Sequence, residues 1–166
     1  MTATKNYILD QAIAMKKLRR MALEIIENNQ SEDEIILAGI RESGSVIARN
    51  IQKLVASYSP IATDLITVTL DKREPKEVQL SKQIDFNDKV IILIDDVANS
   101  GRTLLYALKP FLEFQPRKIQ TAVLVGRSHN SFPIHTDYLG LSVATTLQEH
   151  IYVEVDGEQV LGAYML

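Results

Sequence analysis

The sequence predicts an α/β fold, a mostly parallel central sheet flanked by helices, and three observations carry that prediction. Residues 34–40, 89–96 and 118–126 are short, largely apolar segments, the character of strands covered on both faces, and 61–70 is a further strand-like segment. Between several of them the apolar residues return to the three-to-four-residue spacing of amphipathic helices. The two kinds of segment alternate, and strand–helix–strand order is the connection that builds a parallel sheet.

In chain order, Ile8, Ala12, Met15, Leu18, Ala22 and Ile25 mark a long helix over 8–26. Lys16, Lys17, Arg19 and Arg20 fall largely off its stripe and read as a solvated face, with RNA contact the lesser reading. Residues 28–34 are polar and close the helix. After the strand at 34–40, Val46, Ile47, Ile51, Leu54 and Val55 predict a helix over 44–58. The Thr, Ile and Val content of 61–70 suits a strand. Residues 71–82 are charged, contain Pro75 and lack a stripe, so they are expected as a mobile loop. The strand at 89–96 is followed by a helix over 103–114, the strand at 118–126 by short strands at 138–144 and 151–155.

The totals bound the function. The 166 residues suit a single domain, 1–166, able to bury about two thirds of its unfolded surface. A formal charge of −3 argues against an obligate nucleic-acid binder. With no cysteine there is no disulfide or thiolate zinc site, and a reducing compartment fits. The longest apolar run, Val90 to Ile94, is far too short to span a bilayer, and no secretory leader is apparent. A cytoplasmic protein without a membrane partner is expected.

The most informative stretch is VIILIDDVANSGRT, from Val90 to Thr103. An apolar strand ends in Asp95 and Asp96, and a short turn places the N–H groups of Ser100, Gly101, Arg102 and Thr103 at a helix start. Such a start has unsatisfied donors and the positive dipole end, which suit a phosphate. Adjacent acids repel, so keeping both suggests a cation or ligand hydroxyls between them. Acids beside an anion cradle suit a sugar phosphate. The triphosphatase loop G-x-x-x-x-G-K-[ST] and the dinucleotide pattern G-x-G-x-x-G are both absent. His129, His135 and Asp137 are close in sequence, but their spacing fits no ordinary metal site.

The same string resembles the phosphoribosyl pyrophosphate signature of type I phosphoribosyltransferases: an apolar run, two acids, an apolar residue, a variable pair, then T/S-G-R/K-T. With LAGIRESG (from Leu37) and TAVLVGRSHNSFPIHTDYLG (from Thr121), the chain is most similar to the pyrimidine-operon attenuator/uracil phosphoribosyltransferase family. That resemblance implies the type I phosphoribosyltransferase fold with a small hood. It also implies a Mg²⁺-dependent transferase that moves ribose 5-phosphate from phosphoribosyl pyrophosphate to a nucleobase, uracil favoured, releasing pyrophosphate. Residue by residue, Asp95 and Asp96 would hold the ribose hydroxyls, or Mg²⁺ largely through water or substrate. Ala98, Asn99, Ser100, Gly101, Arg102 and Thr103 would wrap the 5′-phosphate, and Arg41, Glu42, Ser43 and Gly44 would form the pyrophosphate loop, with Arg41 catalytic. Lys72 and Arg73, with Lys76, could close as a lid. Arg127, Tyr138 and the Leu139 backbone would meet the base. The resemblance also implies a homodimer or larger assembly, relatives being commonly so, with the apolar N-terminal helix as the candidate interface.

The chain departs from its relatives at three places. Asn99 stands where enzymes for 6-oxopurines have Asp, Ser43 where the family usually has Arg, and Gly126 where a charged residue flanks the base. A nucleotide- or phosphoribosyl-pyrophosphate-sensing regulator with little turnover, RNA-binding or not, is therefore the alternative, and a purine base the alternative substrate.

Overall fold

A computed structural model of the chain describes residues 3–146 and 148–166. Its main sheet has six strands: β2 (Glu34–Ile40), β3 (Ala62–Leu70), β4 (Val78–Leu80), β5 (Val90–Ala98), β6 (Lys118–Arg127) and β7 (Tyr138–Val143). Their order is β4-β3-β2-β5-β6-β7, parallel except for the antiparallel edge strand β4. β1 (Asn6–Leu9), β8 (Ile151–Asp156) and β9 (Gln159–Met165) form a small antiparallel sheet in the order β1-β9-β8, the expected hood.

The continuous apolar runs are explained by cover on both faces. Ile35, Leu37, Ile92, Ile94 and Leu124 face a core shared with α1 (Gln11–Asn28) and α2 (Ser43–Tyr58). Ile36, Ala38, Ile91, Leu93 and Val123 alternate with them and face a second core under α3 (Arg102–Ala107), a 3-10 helix (Lys109–Glu113) and Phe86. Phe86 meets Phe111 and Phe114 edge-on, with ring centroids 5.0 and 5.3 Å away. Burying each of Ile91 to Ile94 contributes about 1.5–3 kcal/mol, which fixes β5 at the centre.

Several expectations change in detail. The N-terminal helix starts later, at Gln11, because residues 6–9 pair with β9 as a strand and the Asp10 carboxylate caps the Ile13 N–H at 2.8 Å. Its apolar stripe, offered above as an oligomer interface, is covered by the chain's own sheet: Ala14, Leu18, Met21, Ala22 and Ile25 are all buried. The helix expected over 103–114 breaks in two, since Pro110 supplies no N–H and the second part tightens to 3-10 geometry. The stretch 71–82 is not wholly loop, because Val78–Leu80 turns back along β3 as β4. Among the described residues no helix is long and apolar enough to cross a membrane.

Candidate functional site

The carboxyl ends of β2, β5 and β6 lie side by side, and the turns leaving them gather the chemistry. In β5 the ladder continues past the acids, pairing Asp95 with Val123 and Ala98 with Gly126, so both carboxylates are held by strand geometry. Asp95 is buried, with one oxygen accepting the Asp96 N–H at 2.8 Å. Its other oxygen, Oδ2, is buried with no hydrogen-bond partner among the described residues. Burial first, and then the neighbouring Asp96 carboxylate, push the Asp95 carboxyl well above the usual carboxylate range, while Lys72 draws it back. Asp96 is half-buried, and its Oδ1 accepts from the Val97 N–H at 2.8 Å.

Beyond the acids the chain makes the turn that opens α3. Gly101 takes φ +86°, a left-handed conformation, and a Cβ there would stand 2.7 Å from Ile134 Cγ2. The Ser100 hydroxyl accepts from the Arg102 N–H at 3.3 Å. The Ser100 carbonyl accepts from the N–H groups of Ser131 and Phe132 at 3.0 and 3.1 Å, so the segment after β6 braces the turn from outside. Asp95, Ala98 to Thr103 and Lys72 together line a cavity of about 70 Å³. Its donors and its orphaned carboxylate oxygen fit a small, phosphorylated, hydroxyl-bearing ligand.

The loop between β2 and α2 is drawn against the same strand end. A Cβ on Gly44 would lie 2.9 Å from the Ile94 carbonyl and 3.1 Å from Asp95 Oδ1, so only glycine allows the loop this close. The Arg41–Glu42 peptide bond is cis, and the Arg41 N–H donates to the Val68 carbonyl at 2.9 Å. Ser43 is the first residue of α2. Lys72 reaches the cavity from the β3–β4 hairpin, whose tip is tied down by hydrogen bonds from Arg102 to the Arg73 carbonyl at 3.4 Å and from Lys109 to the Lys76 carbonyl.

On the other side of the turn a cleft of about 200 Å³ is lined by Asn99, Ser100, Arg127, Ser128, His129, Ser131 and Thr145. Arg127 leans across it, donating to the carbonyls of Thr146, at 3.4 Å, and Glu149, while its Nε and the Thr145 hydroxyl are buried without partners. The sequence reading found Asn99 and Arg127 but missed Thr145, Ser128 and Ser131. Small hydroxyl residues in loops carry no distinguishing pattern.

Tyr138 and Leu139 do not belong to this cleft. β7 runs parallel to β6 and pairs Tyr138 with Ala122, four residues before Gly126, so Tyr138 stands roughly 13 Å back from the strand ends. It is 1% exposed, and its hydroxyl donates to Gln120 Oε1 at 2.7 Å. It is a core residue. The Leu139 carbonyl is likewise engaged, accepting from Arg20 at 3.0 Å beside the Gly140 carbonyl at 2.8 Å. Arg20 is therefore bound to a sheet edge and not a free cation on the helix face.

Two carboxylates suit a magnesium ion that keeps several waters and takes its remaining ligands from substrate oxygens. Among the described residues no group of three or more His, Cys, Asp or Glu could hold a metal without such help. Asp95 Oδ2, aligned with no internal donor, is the observation that fits such an ion or a ribose hydroxyl.

Comparison with known proteins agrees with this geometry. Residues 5–156 match the family model described as phosphoribosyl transferase domain. The chain is 35% identical to the bifunctional protein PyrR of Clostridium novyi, covering 95% of this chain and 96% of that one. It is 36% identical to the protein of the same name from Clostridium acetobutylicum, over 92% of each. Among solved structures it is similar to the hypoxanthine phosphoribosyltransferase of Trypanosoma cruzi, with TM-score 0.80, 10% identity and 97% and 95% of the two chains covered. The hypoxanthine-guanine phosphoribosyltransferase of Bacillus anthracis gives 0.77, 17%, 98% and 97%. At these identities the two structures attest the fold.

Proposed function

The chain belongs to the phosphoribosyl transferase domain family, and on that premise we propose that it moves ribose 5-phosphate from phosphoribosyl pyrophosphate to a nucleobase, uracil favoured, with release of pyrophosphate. One observation carries the reading: Asp95, one of whose oxygens is buried without a partner, lines the same cavity as the backbone turn at Ser100–Thr103. One feature asks for a hydroxyl or cation, the other for a phosphate, and a ribose 5-phosphate supplies both.

In this reading Asp95 and Asp96 hold the ribose hydroxyls and the 98–103 turn holds the 5′-phosphate. Leaving of pyrophosphate builds positive charge at C1′ and negative charge on the departing oxygens. The loop Arg41–Gly44 and Lys72 face that negative charge, a preorganised arrangement whose individual donors typically lower a barrier by about 3 kcal/mol each. Mg²⁺, held by Asp95 and Asp96 through water or substrate, would neutralise pyrophosphate charge. Asn99, Arg127 and Thr145 wall the base side, and the hairpin carrying Lys72 and Arg73 would keep water from C1′. A single phosphoribosyltransferase-like domain over 1–166, acting in the cytoplasm as a dimer or larger assembly, completes the proposal.

The second reading is a ligand-sensing regulator with low turnover. It is favoured by Ser43, which leaves no cation at the start of α2, and by Gly126, where a Cβ would meet Leu139 Cδ1 at 2.8 Å. Of the four basic residues that its RNA-binding form would use, Arg20 is engaged within the chain, while Lys16, Lys17 and Arg19 make no ion pair among the described residues. Incubating the protein with phosphoribosyl pyrophosphate, Mg²⁺ and separate bases divides the two. Pyrophosphate release with uracil supports the transferase; tight binding without release from any base supports the regulator. Asp96→Asn should weaken phosphoribosyl pyrophosphate binding about 10- to 100-fold, the worth of a charged hydrogen bond, with the fold intact. Unchanged affinity removes Asp96 from the site.

A further inference from the structure

A cleft of about 590 Å³ opens between the edge strand β4 and the 3-10 helix, and it shares no residue with the ribose phosphate cavity. Its floor is apolar: Val78 and Leu80 pack onto the second core, as do Phe86 and Phe114, and Pro110 closes the helix side. Above that floor runs the outer edge of β4, which has no neighbouring strand. The Ser81 N–H donates to the Thr67 carbonyl at 2.9 Å, and the antiparallel register pairs Thr69 with Gln79 and Val68 with Leu80. By that alternation the backbone of Gln79 faces β3, whereas the N–H and C=O groups of Val78 and Leu80 face outward. The next outward carbonyl, that of Lys76, is already taken by the Lys109 ammonium. The open edge is therefore two residues long and ends at a cation.

The charges at the rim say what that edge accepts. Lys76 and Lys109 are exposed and make no ion pair among the described residues. Glu113 is the one acid of the lining, so the cleft carries two cations to one anion. Lysines on an edge strand keep neutral and basic strands from adding to it. They do not repel an acidic one. A second copy of the chain fits badly, because β4 paired with itself about Gln79 would set Lys76 opposite Lys82 of the second copy.

We propose that the outer edge of β4 docks an extended acidic segment of another protein, which adds antiparallel as a seventh strand of the main sheet. Main-chain bonds to Val78 and Leu80 supply affinity, and alternate side chains supply the choice of partner. Running against β4, the segment places an apolar residue opposite Leu80 and another opposite Val78, both over the apolar floor. Two positions further on, on the same face, it places a carboxylate opposite Lys76 and beside the Lys109 ammonium. This surface goes beyond the transferase reading and requires neither turnover nor a bound ribose phosphate.

The test is a titration of the ¹⁵N-labelled full chain with a seven-residue peptide blocked at both ends, carrying valine at its second and fourth positions, glutamate at its sixth and threonine elsewhere. Saturable shifts and slowed hydrogen exchange are expected at the Val78 and Leu80 amides, with the Gln79 amide, already bonded to β3, little changed. Lysine in place of the glutamate should weaken binding by about tenfold. Methylating the two valine nitrogens should abolish it, since those N–H groups meet the edge. Lys76→Glu, at an exposed position, should turn the preference toward the lysine peptide; the peptide series on the parent chain decides the matter should that variant fold poorly. No shift at Val78 and Leu80, equal binding of the methylated peptide, or an unchanged charge preference in Lys76→Glu overturns the proposal. Shifts at those two amides that depend on protein concentration with no peptide present assign the edge to a second copy, and overturn it as well.

Discussion

Gly101→Ala separates the two things that shape the proposed phosphate cradle. Gly101 lies at φ +86°, and a Cβ would be 2.7 Å from Ile134 Cγ2. The left-handed backbone costs an L-residue about 1–2 kcal/mol. The contact is well inside the optimum carbon–carbon separation of about 3.5–4.0 Å. Overpacking of that kind costs about 1–3 kcal/mol, and the half-buried Ile134 can yield, so the lower end applies. The sum, about 2–3 kcal/mol, should appear as a lower urea midpoint at unchanged slope. Adding Ile134→Ala removes the contact and keeps the dihedral, so the double-mutant cycle should return about 1 kcal/mol of coupling. Ribose 5-phosphate affinity should fall in both backgrounds, because the dihedral aims the amides. If Gly101→Ala unfolds at the same urea concentration and binds ribose 5-phosphate like the parent, the left-handed turn does not shape the cradle.

Three further outcomes follow from the geometry. Asp95 titrates above the usual carboxylate value of 3.8 in the folded chain, so stability should fall as pH rises from about 3.8 up through the raised folded value. Asp95→Asn should therefore raise the melting temperature at neutral pH and give no gain below that window; a gain equal at every pH would rule out the charge as its cause. Tyr138→Phe removes the 2.7 Å bond to Gln120 and should cost about 0.5–1.5 kcal/mol in urea melts; pyrophosphate release should stay unchanged, and a loss confined to base affinity would return Tyr138 to the site. Asn99→Asp should admit hypoxanthine or guanine in the base screen, whereas no gain would mean that base choice is made elsewhere in the cleft.

The parts of the fold legible in the sequence are those whose physics is local and strong. β5 was readable because five apolar residues in a row can only be covered on both faces, and its ending in Asp95 and Asp96 pointed to the proposed site. α2 was readable from Val46, Ile47 and Ile51, which recur at helical spacing. β4 was not, because a three-residue edge strand with half-exposed side chains owes its existence to β3 alone. β9 was missed for a related reason: its partners, β1 and β8, are themselves short. Tyr138 was misplaced because residue type says aromatic and strand, while only the direction of the strand says which end. The parallel order of β6 and β7 carries that direction, and it puts the first residue of β7 far from the carboxyl ends.

The small antiparallel sheet has a kinetic corollary. The β8–β9 hairpin within it is local, but the pairing that sets Asn6 against Met165 forms only after a loop of roughly 160 positions has closed. Neighbours such as β2 and β3 meet across far shorter spans. The rungs of β1 are consequently expected to form after those of the main sheet. The wall bearing Thr146 and Glu149 is tied to β6 through Arg127, which donates to both carbonyls, whereas the turn at Gly101 is braced separately through the Ser131 and Phe132 N–H groups.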